Sequence, residues 1–200
     1  MKFFKLLLLT FIIQTSVMAN YNDIYIADIQ YDWINKTEVE KEAIVSEIRD
    51  IIFNQGVIEP QNDLKAVYRD KIKDTKHWDN YYAASAGYKE LGDNNISAFY
   101  YKNQKHIYMY ALQNKKDLTK IYYYSALGKL KYIDHIFGEY PDYPYYSIQY
   151  NISGKPVSAI YFVSKDTQYL YKPDSTFTGV WYKNNLYDKK SKIILKRTSY

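Results

Sequence analysis

The chain has three histidines, His77, His106 and His135, and no cysteine. Acid–base or metal chemistry needs such groups to converge, and their spacing gives no sign of it. No two histidines stand four apart as a helical metal site requires, and no HExxH run occurs. Asp134 and His135 are adjacent, so on a strand they point to opposite faces and cannot act as a dyad. His135 therefore reads as an ordinary packed or surface histidine. The lack of cysteine removes thiol catalysis, thiolate-bound zinc and iron–sulfur clusters. No GxSxG elbow, phosphate loop or dinucleotide fingerprint is present. Glu38/Glu40 and Glu139/Asp142 read as solvated acidic pairs. Glycoside hydrolysis would need two carboxylates facing across a cleft, and nothing in the spacing points to that. No catalytic, cofactor or metal residue is assigned.

Aromatic chemistry is better represented. Tyrosine accounts for 26 of the 200 residues. The run EYPDYPYY, 139–146, interleaves two prolines with tyrosines and makes a stiff, extended loop. It is either a connector between hairpins or a recognition surface, because exposed Tyr rings give large contact area at low entropic cost. Tyr140, Tyr143 and Tyr145 are the candidates there. Trp181, Tyr182 and Tyr187 could stack on sugar rings in the same way, with core packing the alternative for Trp181. A basic cluster, Lys183, Lys189, Lys190, Lys192, Lys196 and Arg197, lies near the C-terminus. It reads as a solvated tail or lysine-protected edge strand, or as attraction to an anionic surface such as a membrane or wall polymer.

Lys2 and Lys5, the apolar run from Leu6 to Ile13 and the small residues of Val17-Met-Ala19 form a secretory signal peptide over 1–19, cleaved after Ala19. The run is well short of the roughly 20 residues a spanning helix needs, and no later stretch is long and apolar enough to span. Removing Lys2 and Lys5 from 27 basic and 22 acidic side chains leaves about +3, too little to argue for nucleic acid. A cysteine-free exported chain fits a bacterial periplasm or exterior better than an animal secretory product.

The chain changes character near residue 95. Over 20–95 the pattern is mainly helical. Thr37-Glu-Val-Glu40 is a capping box, and Ile44, Ile48, Ile51 and Ile52 follow at helical spacing up to Gly56. That predicts a helix over about 38–54. Further helices are expected over about 62–73 and 77–91. The sequence LGDNN, 91–95, reads as the boundary. From 96 to 200 the period becomes two, in short apolar runs bounded by Gly, Pro, Asn, Asp or Lys, as antiparallel strands joined by turns require. The expected fold class is α+β, with N-terminal helices packed against or capping a C-terminal antiparallel meander of repeated hairpins.

Four hairpins superpose: Tyr101-Lys-Asn-Gln-Lys105, Tyr124-Ser-Ala-Leu-Gly128-Lys129, Tyr150-Asn-Ile-Ser-Gly154-Lys155 and Tyr171-Lys-Pro-Asp-Ser175. Tyr closes the incoming strand and three residues make the turn. Gly128 and Gly154 supply the positive φ that a tight hairpin demands, and Lys129 and Lys155 follow into solvent. A period in the low twenties implies stacked supersecondary units. Over about 97–187 the chain resembles the MORN-type β-hairpin repeats and their degenerate bacterial relatives, through Tyr124, Gly128, Tyr150 and Gly154, and more faintly Tyr169, Tyr171, Gly179 and Trp181. TGVWYKNNLY, 178–187, also resembles, more weakly, the aromatic repeats of cell-wall choline-binding modules. The expectation is an exported, non-catalytic interaction module that presents a Tyr-rich sheet face to a protein or envelope partner. The alternatives are a glycan or cell-wall binder and a periplasmic enzyme with an unrecognised site. An outer-membrane barrel is disfavoured, because lysines occupy too many strand positions and an outward apolar face roughly 9 to 11 residues long is missing.

Overall fold

The computed structural model describes residues 36–56, 58, 62–64, 69, 83–100 and 107–198. The signal peptide expected over 1–19, the hairpin expected at 101–105, His77 and His106 lie outside them, as does most of the helix expected over 62–73. The described part is mainly β. One helix, α1 (Glu38–Asn54), precedes eleven strands: β1 (Ala83–Leu91), β2 (Asn94–Tyr100), β3 (Ile107–Asn114), β4 (Asp117–Ser125), β5 (Leu130–Gly138), β6 (Tyr145–Asn151), β7 (Pro156–Phe162), β8 (Thr167–Tyr171), β9 (Phe177–Tyr182), β10 (Asn185–Asp188) and β11 (Ile193–Thr198).

α1 starts where the capping box puts it. The Thr37 backbone N–H donates to Glu40 Oε2 at 2.6 Å, and the Glu40 backbone N–H donates to Thr37 Oγ1 at 3.2 Å. Glu38 pairs with Lys41 at 2.8 Å. The pair Glu38/Glu40 therefore belongs to the helix start, where acidic groups face the positive end of the helix dipole. Ile44 and Ile48 are buried on one stripe, and Ile48 is fully enclosed. An Ile48→Ala change would cost about 2–5 kcal/mol.

Each strand pairs with its sequence neighbours in antiparallel register, and β11 returns to β1 to close a barrel. An odd number of strands in such a meander leaves the first and last running the same way. The seam between them is parallel, and among the described residues it runs from Ala83↔Lys196 to Ser85↔Thr198. The helix expected over 77–91 is overturned for its described part, because Ala83–Leu91 is strand β1. Ala-rich composition favours a helix, but pairing with β2 along Ser85↔Tyr100 to Leu91↔Asn94 overrides that weak local preference. LGDNN is correspondingly a hairpin, not a boundary. Gly92, at φ 61°, takes the first position of a two-residue loop, where that sign of φ suits the strand twist.

Alternation gives the sheet two surfaces. The surface facing α1 carries the main core, in which Ile44 and Ile48 join Ile96, Tyr110, Tyr124, Ile148, Tyr150 and Tyr171, among others. The opposite surface carries the smaller cluster of Trp181, Leu186 and Leu195 and a buried polar group around Asp134.

Connections alternate between two ends of the barrel. One end holds the turns β4–β5, β6–β7, β8–β9 and β10–β11, and all four are built alike. Gly128, Gly154, Ser175 and Ser191 each have positive φ, at 80°, 74°, 64° and 61°. Each donates its N–H to the carbonyl three residues back: Ser125, Asn151, Lys172 and Asp188. Immediately before those positions stand Tyr124, Tyr150, Tyr171 and Tyr187, all buried on the α1-facing surface. The pairing slips by one residue at each Tyr, which leaves Lys131, Val157, Thr178 and Ile194 as the extra residue of each outgoing strand. The repeat thus includes Tyr187-Asp-Lys-Lys-Ser191-Lys192, a copy that the sequence reading assigned to a basic tail.

Candidate functional site

The distinctive region is the β5–β6 hairpin, where a buried polar group and the aromatic loop lie on one ladder. Asp134 on β5 faces Gln149 on β6. Gln149 Nε2 donates to Asp134 Oδ1 at 2.7 Å, and Tyr123 and Ser147 also hydrogen-bond the carboxyl. Asp134, Ser147 and Gln149 are all buried. Burial raises the Asp134 pKa to about 6, against the pull of those three hydrogen bonds. Burial, then the neighbouring Asp134, pushes the Tyr123 hydroxyl well above its usual value. The result is a carboxyl that can exchange a proton near neutral pH, held by neutral donors in a packed sheet.

His135 points the other way, as alternation requires. Its ring stands edge-on to Tyr150 at 5.7 Å on the α1-facing surface. Burial, then the charge of Lys120, lowers its pKa. Glu139 and Asp142 lie exposed in the loop, where the Asp142 N–H closes a turn on the Glu139 carbonyl at 2.9 Å. Among the described residues no group of three His, Cys, Asp or Glu side chains is placed to hold a metal ion.

Four residue pairs beyond Asp134, the ladder ends at Gly138↔Tyr145. Both Tyr140-Pro141 and Tyr143-Pro144 are cis. Tyr145 is buried and stacks on Phe162 at 4.5 Å. Tyr140 meets Tyr145 edge-on at 5.0 Å, and Tyr143 stacks on it at 5.3 Å. Tyr143 remains 44% exposed. The structure thus brings Tyr140, Tyr143 and Tyr145 together, with Phe162 as a fourth ring that sequence reading missed. Its position opposite Tyr145 on β7 is visible only from the register.

Trp181, Tyr182 and Tyr187 do not join them. Trp181 is buried against Leu186 and Leu195. Tyr187 is buried on the opposite surface and accepts a hydrogen bond at its hydroxyl from Asn185 at 3.3 Å. Tyr182 is half-buried beside the main core, with Lys183 over its ring at 5.4 Å. Burial withdraws Trp181 and Tyr187 from any sugar-stacking surface. Gly128, Lys129, Gly154 and Lys155 occupy the turns the spacing assigned to them, and Lys129 pairs with Asp63 at 2.6 Å. The basic cluster is divided by topology. Lys183 lies at the aromatic-loop end, whereas Lys189, Lys190 and Lys192 lie at the end with the repeated turns.

No family model, curated protein or solved structure matches this chain.

Proposed function

We propose that the protein is an exported, non-catalytic binding module whose partner, a protein or an envelope component, docks on the β5–β6 loop. One observation carries this reading: a proline-stiffened loop holds Tyr143 outward on a floor of Tyr140, Tyr145 and Phe162. Such a ring offers contact area with little conformational freedom left to lose. The hairpins are read as degenerate MORN-type units, a reading that the four equal turns support, with the N-terminal helical region as their cap. The first nineteen residues are read as the leader that takes the chain to the periplasm or exterior. Glycan recognition is the second reading, favoured by the partly open face of Tyr143, against which a sugar ring can stack.

The test is co-sedimentation with isolated cell wall at low and high salt, followed by affinity capture from an envelope protein fraction, each with Tyr143→Ala alongside. Salt-resistant pelleting that Tyr143→Ala abolishes supports glycan recognition. Capture of a protein that the variant releases supports a protein partner. If Tyr143→Ala leaves both unchanged, the loop is not the docking site. N-terminal sequencing of exported material checks the leader, and a mature chain that does not begin at Asn20 overturns the cleavage site.

A further inference from the structure

The end with the repeated turns has a surface of its own. Leu127 and Ile152 sit at the tips of neighbouring turns there, 77% and 59% exposed. Two strands separate them, so the tips stand roughly 10 Å apart. The chain leaving α1 arrives at the same end: the Tyr150 hydroxyl reaches Gln55 Oε1 at 3.5 Å, and Ile58 approaches Gly154. Phe53, 87% exposed, lies on that last helical turn. The adjoining turns carry lysines: Lys155, Lys189, Lys190 and Lys192, all exposed, and half-buried Lys172.

Three acids at this end are already engaged. Asp63 is tied to Lys129. Asp174 accepts the Thr176 N–H, and Asp188 accepts the N–H groups of Lys190 and Lys192. The opposite end mixes both signs, with Lys115 on Glu90 and Lys116 on Asp93. Apolar tips held forward by hydrogen-bonded turns, flanked by lysines, match one kind of surface above others. A bilayer interface accepts the apolar side chains, and anionic headgroups accept the ammonium groups. A hydrated wall polymer would satisfy the lysines but offer nothing to Leu127 and Ile152. We infer that the end of the barrel bearing the β4–β5, β6–β7 and β10–β11 turns docks on an anionic membrane surface, with Leu127 and Ile152 entering the interface and Lys189, Lys190 and Lys192 holding headgroups. This is independent of the aromatic loop and leaves that loop directed away from the membrane.

The absence of cysteine allows a direct test on the full chain. Leu127→Cys, Ile152→Cys and, at the opposite end, Lys116→Cys are each labelled with a polarity-sensitive fluorophore. They are then mixed with vesicles of phosphatidylcholine alone or containing phosphatidylglycerol. The expected result is a blue shift at 127 and 152 with anionic vesicles only, and none at 116. Combining Lys189→Gln, Lys190→Gln and Lys192→Gln should weaken the response roughly tenfold or more, and high salt should do the same. The turn-closing bonds at these positions are made by the backbone, so the substitutions leave the fold intact, which near-ultraviolet circular dichroism checks. The inference is overturned if 127 and 152 stay water-like with anionic vesicles or respond equally to neutral ones. A shift at 116 instead, or unchanged binding by the lysine variant, also overturns it. Pelleting with wall polymer without a blue shift assigns the lysines to that polymer and overturns membrane docking.

Discussion

The four repeated turns and the β5–β6 hairpin are made from the same residue types to opposite ends. At the turns, tyrosine is buried, polar side chains cap the backbone and lysine points outward. At β5–β6, a carboxylate and a glutamine are buried and a tyrosine is turned toward solvent. The first arrangement recurs four times around the barrel and holds it together. The second occurs once among the described hairpins, so the repeat does not require it.

Changes that separate the two regions should differ in size and sign. The largest effect is expected at Asp134. Asp134→Ala leaves the donors of Gln149, Ser147 and Tyr123 without their acceptor and should cost roughly 3–4 kcal/mol, read by urea unfolding. A loss below 1 kcal/mol would mean that the cluster is not the tight unit described here. Its protonation should be visible too. The folded pKa, about 6, lies above the ordinary 3.8, so the folded state holds this proton more firmly. The resulting stability is fully present below the ordinary value and is lost as pH rises through about 6. Between about pH 4 and about pH 7 the wild type should lose up to about 3 kcal/mol relative to Asp134→Asn. Parallel curves for the two proteins would contradict this.

Next come the turns. Gly128→Ala places a Cβ in the positive-φ region and 2.9 Å from the Leu64 carbonyl oxygen, and should cost about 2–3 kcal/mol. Gly154→Ala meets only Ile58 at 3.9 Å and should cost about 1–2 kcal/mol, for the backbone alone. Equal losses would show that the segment through Leu64 does not press on the first turn. Ser191→Gly relieves the same backbone strain where nature left a side chain, and should raise stability by about 0.5–1 kcal/mol. The smallest change is expected at Tyr143. Tyr143→Ala should shift the melting midpoint by less than about 2 °C while removing partner binding. Loss of both together would make that ring part of the core.

The turns and α1 were legible because their signals are local. A capping box needs four residues, and Tyr followed four positions later by Gly needs five. The copy at Tyr187 was hidden because Ser191 replaces glycine and lysines fill the turn between them. Alternation failed by one residue at a repeated place. Leu130 reads as sharing a face with Tyr132 and Asp134, and Phe177 with Gly179 and Trp181. The extra residues Lys131 and Thr178 instead put Leu130 and Phe177 with the main core, since a bulge exchanges the faces of everything on one side of it. Strand β1 was illegible because its pairing partners, β2 and β11, decide its conformation. The burial of Asp134 was also hidden: alternation tells which residues share a face, and what covers that face is a tertiary fact.

The parallel seam has a consequence for how the barrel assembles. Every other described pairing joins strands adjacent in sequence and can zip outward from its turn. The seam joins residues about 110 positions apart, through three paired positions among the described residues, and closing it costs the most chain entropy. Closure is therefore expected to be the last step of folding and the first to be undone. Until β11 arrives, β1 presents an open edge to other chains, so the seam amides should exchange with solvent sooner than those of β5 and β6, and the same ladder is where misassembly into dimers would begin.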